Sequence, residues 1–160
     1  MCSFLIYNFL VESQSKYNYF LKFRGPDYTN TYKHNFKNLF FTFLHNLLNI
    51  TGSVTYQPFI KNDIICLYNG EIYNHKLFGS FDSDGECLIN AYEKYNTNFI
   101  KYLNGEFSIV LFDFNIKIYL FYQQMYSQLN HFGITLQINI WVFHLINLVY
   151  CILGAIRPHN

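Results

Sequence analysis

Apolar and polar positions fall into short alternating blocks. From Cys2 to Leu10 the chain is apolar, β-branched or aromatic, which predicts a first strand. Residues 12–38 are polar, rich in Ser, Asn, Lys and Tyr. Their clearest signal is a turn at Phe23-Arg24-Gly25-Pro26-Asp27, where Pro fixes φ and Gly permits the bend. Leu39–Ile50 is a long apolar run whose Phe and Thr content favours strand over helix. Thr51-Gly52 predicts a turn. Gln57-Pro58 marks a strand edge or loop, because proline has no N–H for a ladder. Lys61-Asn62-Asp63 predicts a hairpin turn into a central strand, Asp63–Tyr68, with Ile64, Cys66 and Tyr68 or the opposite set facing inward. Asn69-Gly70 then predicts a second turn, since both residues tolerate positive φ.

The next block has a helical period. Ser83 with Glu86 three residues on forms a capping-box pattern. Cys87, Leu88, Ala91 and Tyr95 then form an apolar stripe, predicting a helix to about Tyr95. Asn98–Leu103 predicts a second short helix ended by Asn104-Gly105. Glu106–Asp113 predicts a strand, and Asn115 a turn into Lys117–Phe121. Strands on both sides of clustered helices make an α+β domain.

Composition changes this picture little. A chain of 160 residues suits one domain with a real core. The abundance of Phe, Tyr, Asn, Ile, Leu and Lys follows AT-rich codons, so part of it reports the genome rather than the fold. A net charge of +1 without a basic face argues against nucleic acid as a partner. The four cysteines, Cys2, Cys66, Cys87 and Cys151, form no CxxC pair and no zinc-like spacing with His. The amino terminus lacks the basic and apolar regions of a secretory signal, so a reducing cytoplasm is the expected location.

Cys2 carries the most chemistry. Most free cysteines are small buried residues. Removal of Met1, however, would leave Cys2 with a free α-amine beside its own thiol. Such an amine, with a pKa of about 8, can take the thiol proton near neutral pH, so no second base is needed. Attack of such a thiolate on a carbonyl carbon builds negative charge on the oxygen, and fixed donors about 3 Å away stabilise it. The Asn69 side-chain amide and the Gly70 backbone N–H are suitable donors.

The ordered set Met1-Cys2-Ser3, Arg24-Gly25-Pro26-Asp27, Gln57-Pro58, Asn69-Gly70-Glu71-Ile72-Tyr73-Asn74-His75 and Ser83-Asp84-Gly85-Glu86 resembles the glutaminase domain of asparagine synthetases. These are class-II glutamine amidotransferases of the N-terminal-nucleophile hydrolase type. Leu103, Gly105, Phe107 and Asp113 add the family's L-x-G-x-F pattern with its later Asp. The resemblance implies a four-layer αββα sandwich. It implies Cys2 as nucleophile, Asn69 and Gly70 as oxyanion hole, and Glu71 and Asp84 as ligands of the substrate α-ammonium. Without it, Glu71 reads as a turn acid and Asp84 as an acid in a helix's first turn. Arg24 and Asp27 would support the site from the RGPD loop.

One position departs from the family. Its H-x-R-L-x-I pattern supplies an Arg for the α-carboxylate of glutamine. With His45 aligned on the pattern's His, Leu47 falls where that Arg belongs. An apolar side chain cannot make the bidentate charge pair. His45 or Arg24 is left to hold the carboxylate, although His45 also reads as an ordinary strand histidine.

The resemblance stops at about residue 121. Read in a shifted codon frame, Gln123–Gly133 and Ile140–Leu148 can spell two later family motifs in order. Residues 1–121 therefore read as the glutaminase domain, incomplete at its carboxyl end, and 122–160 as out-of-frame peptide. The competing reading is a membrane anchor over Ile138–Ile156, about the roughly 20 residues a bilayer requires. It is weakened by Asn139, His144 and Asn147, which are costly in lipid.

The expected activity is hydrolysis of L-glutamine to glutamate and ammonia for asparagine synthesis, slow or absent because of Leu47 and the altered tail. No cofactor is expected for that step. ATP and magnesium belong to a synthetase domain expected to be missing from these residues, leaving a separate synthetase chain as a candidate partner. The alternative is a non-catalytic remnant or a membrane-tethered binding protein.

Overall fold

The computed structural model describes residues 2–8, 14–50, 54–124 and 149–152. Its elements, in chain order, are β1 (Ser3–Tyr7), α1 (Gln14–Lys22), β2 (Tyr28–Phe36), β3 (Leu39–Leu47), β4 (Phe59–Lys61), β5 (Ile64–Ile72), α2 (Cys87–Tyr95), β6 (Gly105–Asp113), β7 (Ile118–Gln124) and β8 (Val149–Ile152). They build an α+β domain with two four-stranded sheets, ordered β2-β3-β1-β8 and β4-β5-β6-β7. Every strand pairing described is antiparallel.

Alternation along the strands assigns the faces. Phe4 and Ile6 of β1, Phe41 and Phe43 of β3, Ile65 and Leu67 of β5, and Val110 and Phe112 of β6 form a core between the sheets. The other set on β5, namely Ile64, Cys66 and Tyr68, packs with Cys87, Leu88, Ala91 and Tyr92 of α2 on the far face of the second sheet. On the far face of the first sheet, Leu21 of α1 meets Leu5, Tyr7 and Leu44.

Most predicted elements are present. The 83–86 capping box forms, with Glu86 Oε2 accepting the Ser83 N–H at 3.1 Å, and leads through a 3-10 turn into α2. The 61–63 hairpin turn forms with positive φ at Asn62 (49°) and Asp63 (58°), as a tight two-residue connection requires. The second helix is a 3-10 segment, Asn96–Tyr102.

One expectation is corrected, and two elements lie where the sequence pattern named none. The polar stretch 12–38 contains α1 and β2. Among the described side chains of α1, Asn18 and Leu21, three residues apart, are the buried positions, and one of them is polar. In β2, Tyr32 and Phe36 alternate onto the inter-sheet core amid Lys, His and Asn. Asn69-Gly70 is not a turn after a strand but lies inside β5, opposite Ser108 and Phe107 of β6. The ladder continues because Gly70 has φ of 148° and no Cβ; a Cβ there would lie 2.1 Å from the Glu106 carbonyl oxygen.

Among the described residues no helix is long and apolar enough to cross a membrane. Of the 138–156 stretch, only residues 149–152 are described; they form β8, paired with β1. The rest of that stretch, and the shifted-frame segment 125–148, lie outside the described residues.

Candidate active site

The register of the two sheets brings their polar ends together. Phe41 packs on Phe112 and Phe114 (5.7 and 5.2 Å), and Phe43 on Phe112 (5.2 Å). Moving along β3 from these rings leads to His45 and Leu47. Moving the same way along β6 leads to Ser108, paired with Asn69 of β5. On β1, Phe4 lies opposite His45, so Cys2 emerges beside Leu47. A second connection agrees: Asn30, opposite His45 in β2, donates from Nδ2 to the Gln57 carbonyl at 2.8 Å, and Gln57 Oε1 accepts the Tyr68 N–H at 2.7 Å. Cys2, His45 and Leu47 thus share one end of the inter-sheet layer with Asn69 and Gly70.

The Cys2 thiol is half-buried against the end of β3. Its Sγ accepts the Leu48 N–H at 3.4 Å and faces the Leu48 carbonyl at 3.9 Å. Beneath it, on the opposite face, Ser3 Oγ donates to the Leu21 carbonyl at 2.7 Å and accepts Asn46 Nδ2 at 3.1 Å. Asn46 also exchanges two hydrogen bonds with Asn18 and accepts the Thr29 hydroxyl. This buried polar cluster ties α1, β2 and β3 to the start of β1.

The 24–27 loop is fastened to the same strand end. Asp27 N–H donates to the Leu47 carbonyl at 3.1 Å, and Asp27 Oδ2 accepts the Asn49 N–H at 2.7 Å. Gly25 is required there, since a Cβ would lie 2.1 Å from the Asn46 oxygen. Arg24 is half-buried beside it.

His45 is 1% exposed and its Nε2 is buried with no hydrogen-bond partner among the described residues. Burial pushes its pKa from 6.5 down to about 4, because a charged imidazole loses hydration there. It is neutral at pH 7. Leu47 is 8% exposed and offers only apolar surface. Glu71 is exposed, one residue past Gly70.

Asp84 lies in the first turn of the 3-10 segment Asp84–Glu86. Its Oδ2 accepts the Tyr68 hydroxyl at 2.5 Å and the Ile72 N–H at 2.7 Å. That oxygen is therefore engaged with the protein. Sequence reasoning also missed Gln57 and Tyr68 as partners of the site. The Gln57-Pro58 pair was visible as a motif, but its span between the sheets was not. Cys66 and Cys87 are free and fully buried in the α2-side core. Burial pushes the Cys87 thiol up to about 12 and the Cys66 thiol up further still, which keeps both protonated. Among the described residues no group of three or more His, Cys, Asp or Glu could hold a metal ion.

The Cys2 thiol and the Asn69-Gly70 pair lie toward the same end of the two-sheet core. A family model described as a glutamine amidotransferase domain matches residues 1–126, and the chain belongs to that family. Over 104 residues it is 35% identical to an asparagine synthetase [glutamine-hydrolyzing] of Triphysaria versicolor. It is 36% identical over 106 residues to the nodule asparagine synthetase of Pisum sativum, and 33% over 104 to that of Zea mays. Each match covers 58% of this chain and 17% of the relative, so the chain spans about a sixth of these relatives' length.

Proposed function

We propose that this domain hydrolyses the side-chain carboxamide of glutamine to glutamate and ammonia, with Cys2 as nucleophile. The reading is carried by the shared sheet end at which the Cys2 thiol and the Asn69-Gly70 segment lie. Loss of Met1 frees the Cys2 amine. The thiolate attacks the carboxamide carbon, and Asn69 Nδ2 and the Gly70 N–H receive the developing oxyanion. The C–N bond breaks, the amine supplies the proton with which ammonia leaves, and a thioester remains. Water gives a proton back to the amine, attacks the thioester and releases glutamate, restoring the thiol. Glu71 and the unengaged oxygen of Asp84 hold the α-ammonium. Arg24 or the His45 N–H faces the carboxylate that Leu47 cannot pair. In this reading the layers are the αββα order of N-terminal-nucleophile hydrolases. The relatives' names point to asparagine synthesis as the use of the ammonia, with ATP-dependent chemistry carried by another domain or chain.

The test is intact mass and labelling. A chain lacking Met1 and carrying one equivalent of a glutamine-like chloroketone on Cys2, with ammonia release abolished in Cys2→Ala, supports the reading. Ammonia release from Cys2→Ala at the parent rate ends it. Leu47 favours a second reading, a non-catalytic remnant, for which Met1 is retained and Cys2 stays unlabelled.

For residues 122–160 we propose an out-of-frame origin. The DNA over residues 110–160 is expected to spell the later family motifs in the shifted frame; a base sequence that cannot do so removes the idea.

A further inference from the structure

One carboxylate oxygen grips β5 on both sides of the Asn69-Gly70 pair. Asp84 Oδ2 receives the Tyr68 hydroxyl at 2.5 Å and the Ile72 backbone N–H at 2.7 Å. Tyr68 is also held from its backbone, where its N–H donates to Gln57 Oε1 at 2.7 Å. The two residues between Tyr68 and Ile72 that carry the proposed oxyanion donors are thus bracketed by one fixed atom. The bracket adds to the β6 ladder at a point where Gly70 has positive φ and Glu71 is exposed.

We infer that Tyr68 is a positioning residue for the oxyanion hole: its hydroxyl, through Asp84, fixes the β5 segment from which Asn69 and Gly70 donate. The inference rests on the proposed glutaminase reading. Tyr68 does not touch the reacting atoms in this account; its side chain lies on the α2-side face, whereas Asn69 alternates to the inter-sheet face. Burial and then the Asp84 charge push the Tyr68 pKa well up, so the hydroxyl keeps its proton and remains a donor throughout the working pH range. Gly85 packs on the Tyr68 ring, where a Cβ would come within 2.6 Å, so the ring is closely seated whether or not its hydroxyl is present.

Tyr68→Phe keeps the ring and removes the bracket. Tyr92→Phe is the matched control, since Tyr92 occupies the same core and donates its hydroxyl to Asp113 Oδ2 at 3.0 Å, toward the opposite end of the sheet. Cys2 labelling is followed with two electrophiles. A glutamine-like chloroketone places a carbonyl oxygen in the hole, and iodoacetamide reacts by simple displacement and does not use the hole. Removing a direct oxyanion donor lowers rates by about 100- to 1,000-fold, so a displaced donor is expected to lower the chloroketone rate of Tyr68→Phe by about tenfold. Its iodoacetamide rate is expected to stay within about twofold of the parent, and Tyr92→Phe to keep both rates; these reference limits follow from leaving the donors in place. A Tyr68→Phe protein whose chloroketone-to-iodoacetamide ratio equals the parent's overturns the inference alone. Equal ratio losses in both variants reduce Tyr68 to a structural role and overturn it as well. A parent chain that the chloroketone does not label overturns the glutaminase reading and this inference with it. Should Tyr68→Phe fail to fold, 4-aminophenylalanine placed at position 68, which keeps the ring and an N–H donor toward Asp84 Oδ2, must keep the parent ratio for the inference to stand.

Discussion

Gln57 Oε1 accepts the backbone N–H of Tyr68 at 2.7 Å in a buried setting. The residue that receives Asn30 of the first sheet therefore also caps the strand of the second sheet just before Asn69. Gln57→Ala leaves a buried N–H unpaired, which is expected to cost about 1–3 kcal/mol. Urea unfolding of the variant against the parent measures it. An unchanged midpoint would show that the contact holds nothing.

Gly70→Ala is expected to be more damaging. A methyl group would fall 2.1 Å from the Glu106 oxygen at a φ of 148° that side-chain-bearing residues rarely adopt. Strain of this kind adds to lost strand pairing, and a loss of about 2–4 kcal/mol is expected. Gly79→Ala shares the same φ but meets the ring of Phe81, a side chain that can swing, and is expected to lose less in the same unfolding assay.

Acid sensitivity follows from His45. Its folded pKa is depressed to about 4 from 6.5, so the unfolded chain binds the proton first as pH falls. The stability that this neutral imidazole contributes is complete above about pH 6.5 and is lost down to about pH 4. Between pH 7 and pH 5 the loss is about 2 kcal/mol by linkage. Unfolding midpoints at the two pH values check the slope, and His45→Phe is expected to flatten it.

Leu47→Arg tests how the substrate carboxylate is held. Leu47 lies beside Cys2 on the inner face of β3, at the position where the family pattern carries Arg. A charge-assisted bond is worth about 1.5–3 kcal/mol, so glutamine hydrolysis at low substrate is expected to rise by about 10- to 100-fold. A variant with unchanged kcat/KM would mean that the carboxylate is already held elsewhere.

What could be read from the sequence divides by the range of the interactions. The capping box, the 61–63 hairpin and strands β1, β3, β5, β6 and β7 follow from neighbours within a few residues, and all formed. Asn69-Gly70 misled, because the same two residues that favour a turn also allow a strand to approach its partner closely; Glu106, far along the chain, decides which occurs. α1 was hidden because a buried asparagine, satisfied by Asn46, occupies a face where periodicity looks for apolar residues. The candidate site residues were named from motif order, but their common location depends on sheet stacking. The bracket by Asp84 and the span by Gln57 have no local signal at all.

The first sheet closes on a short strand, Val149–Ile152, laid along β1. Were that neighbour to vanish, the ribbon leading from Cys2 would become a bare border, its peptide groups open to any passing extended segment. Another molecule's strand could add there and join chains edge to edge. Whatever the origin of those four residues, they keep the strand that follows Cys2 inside its sheet, between β3 and β8, rather than at a border.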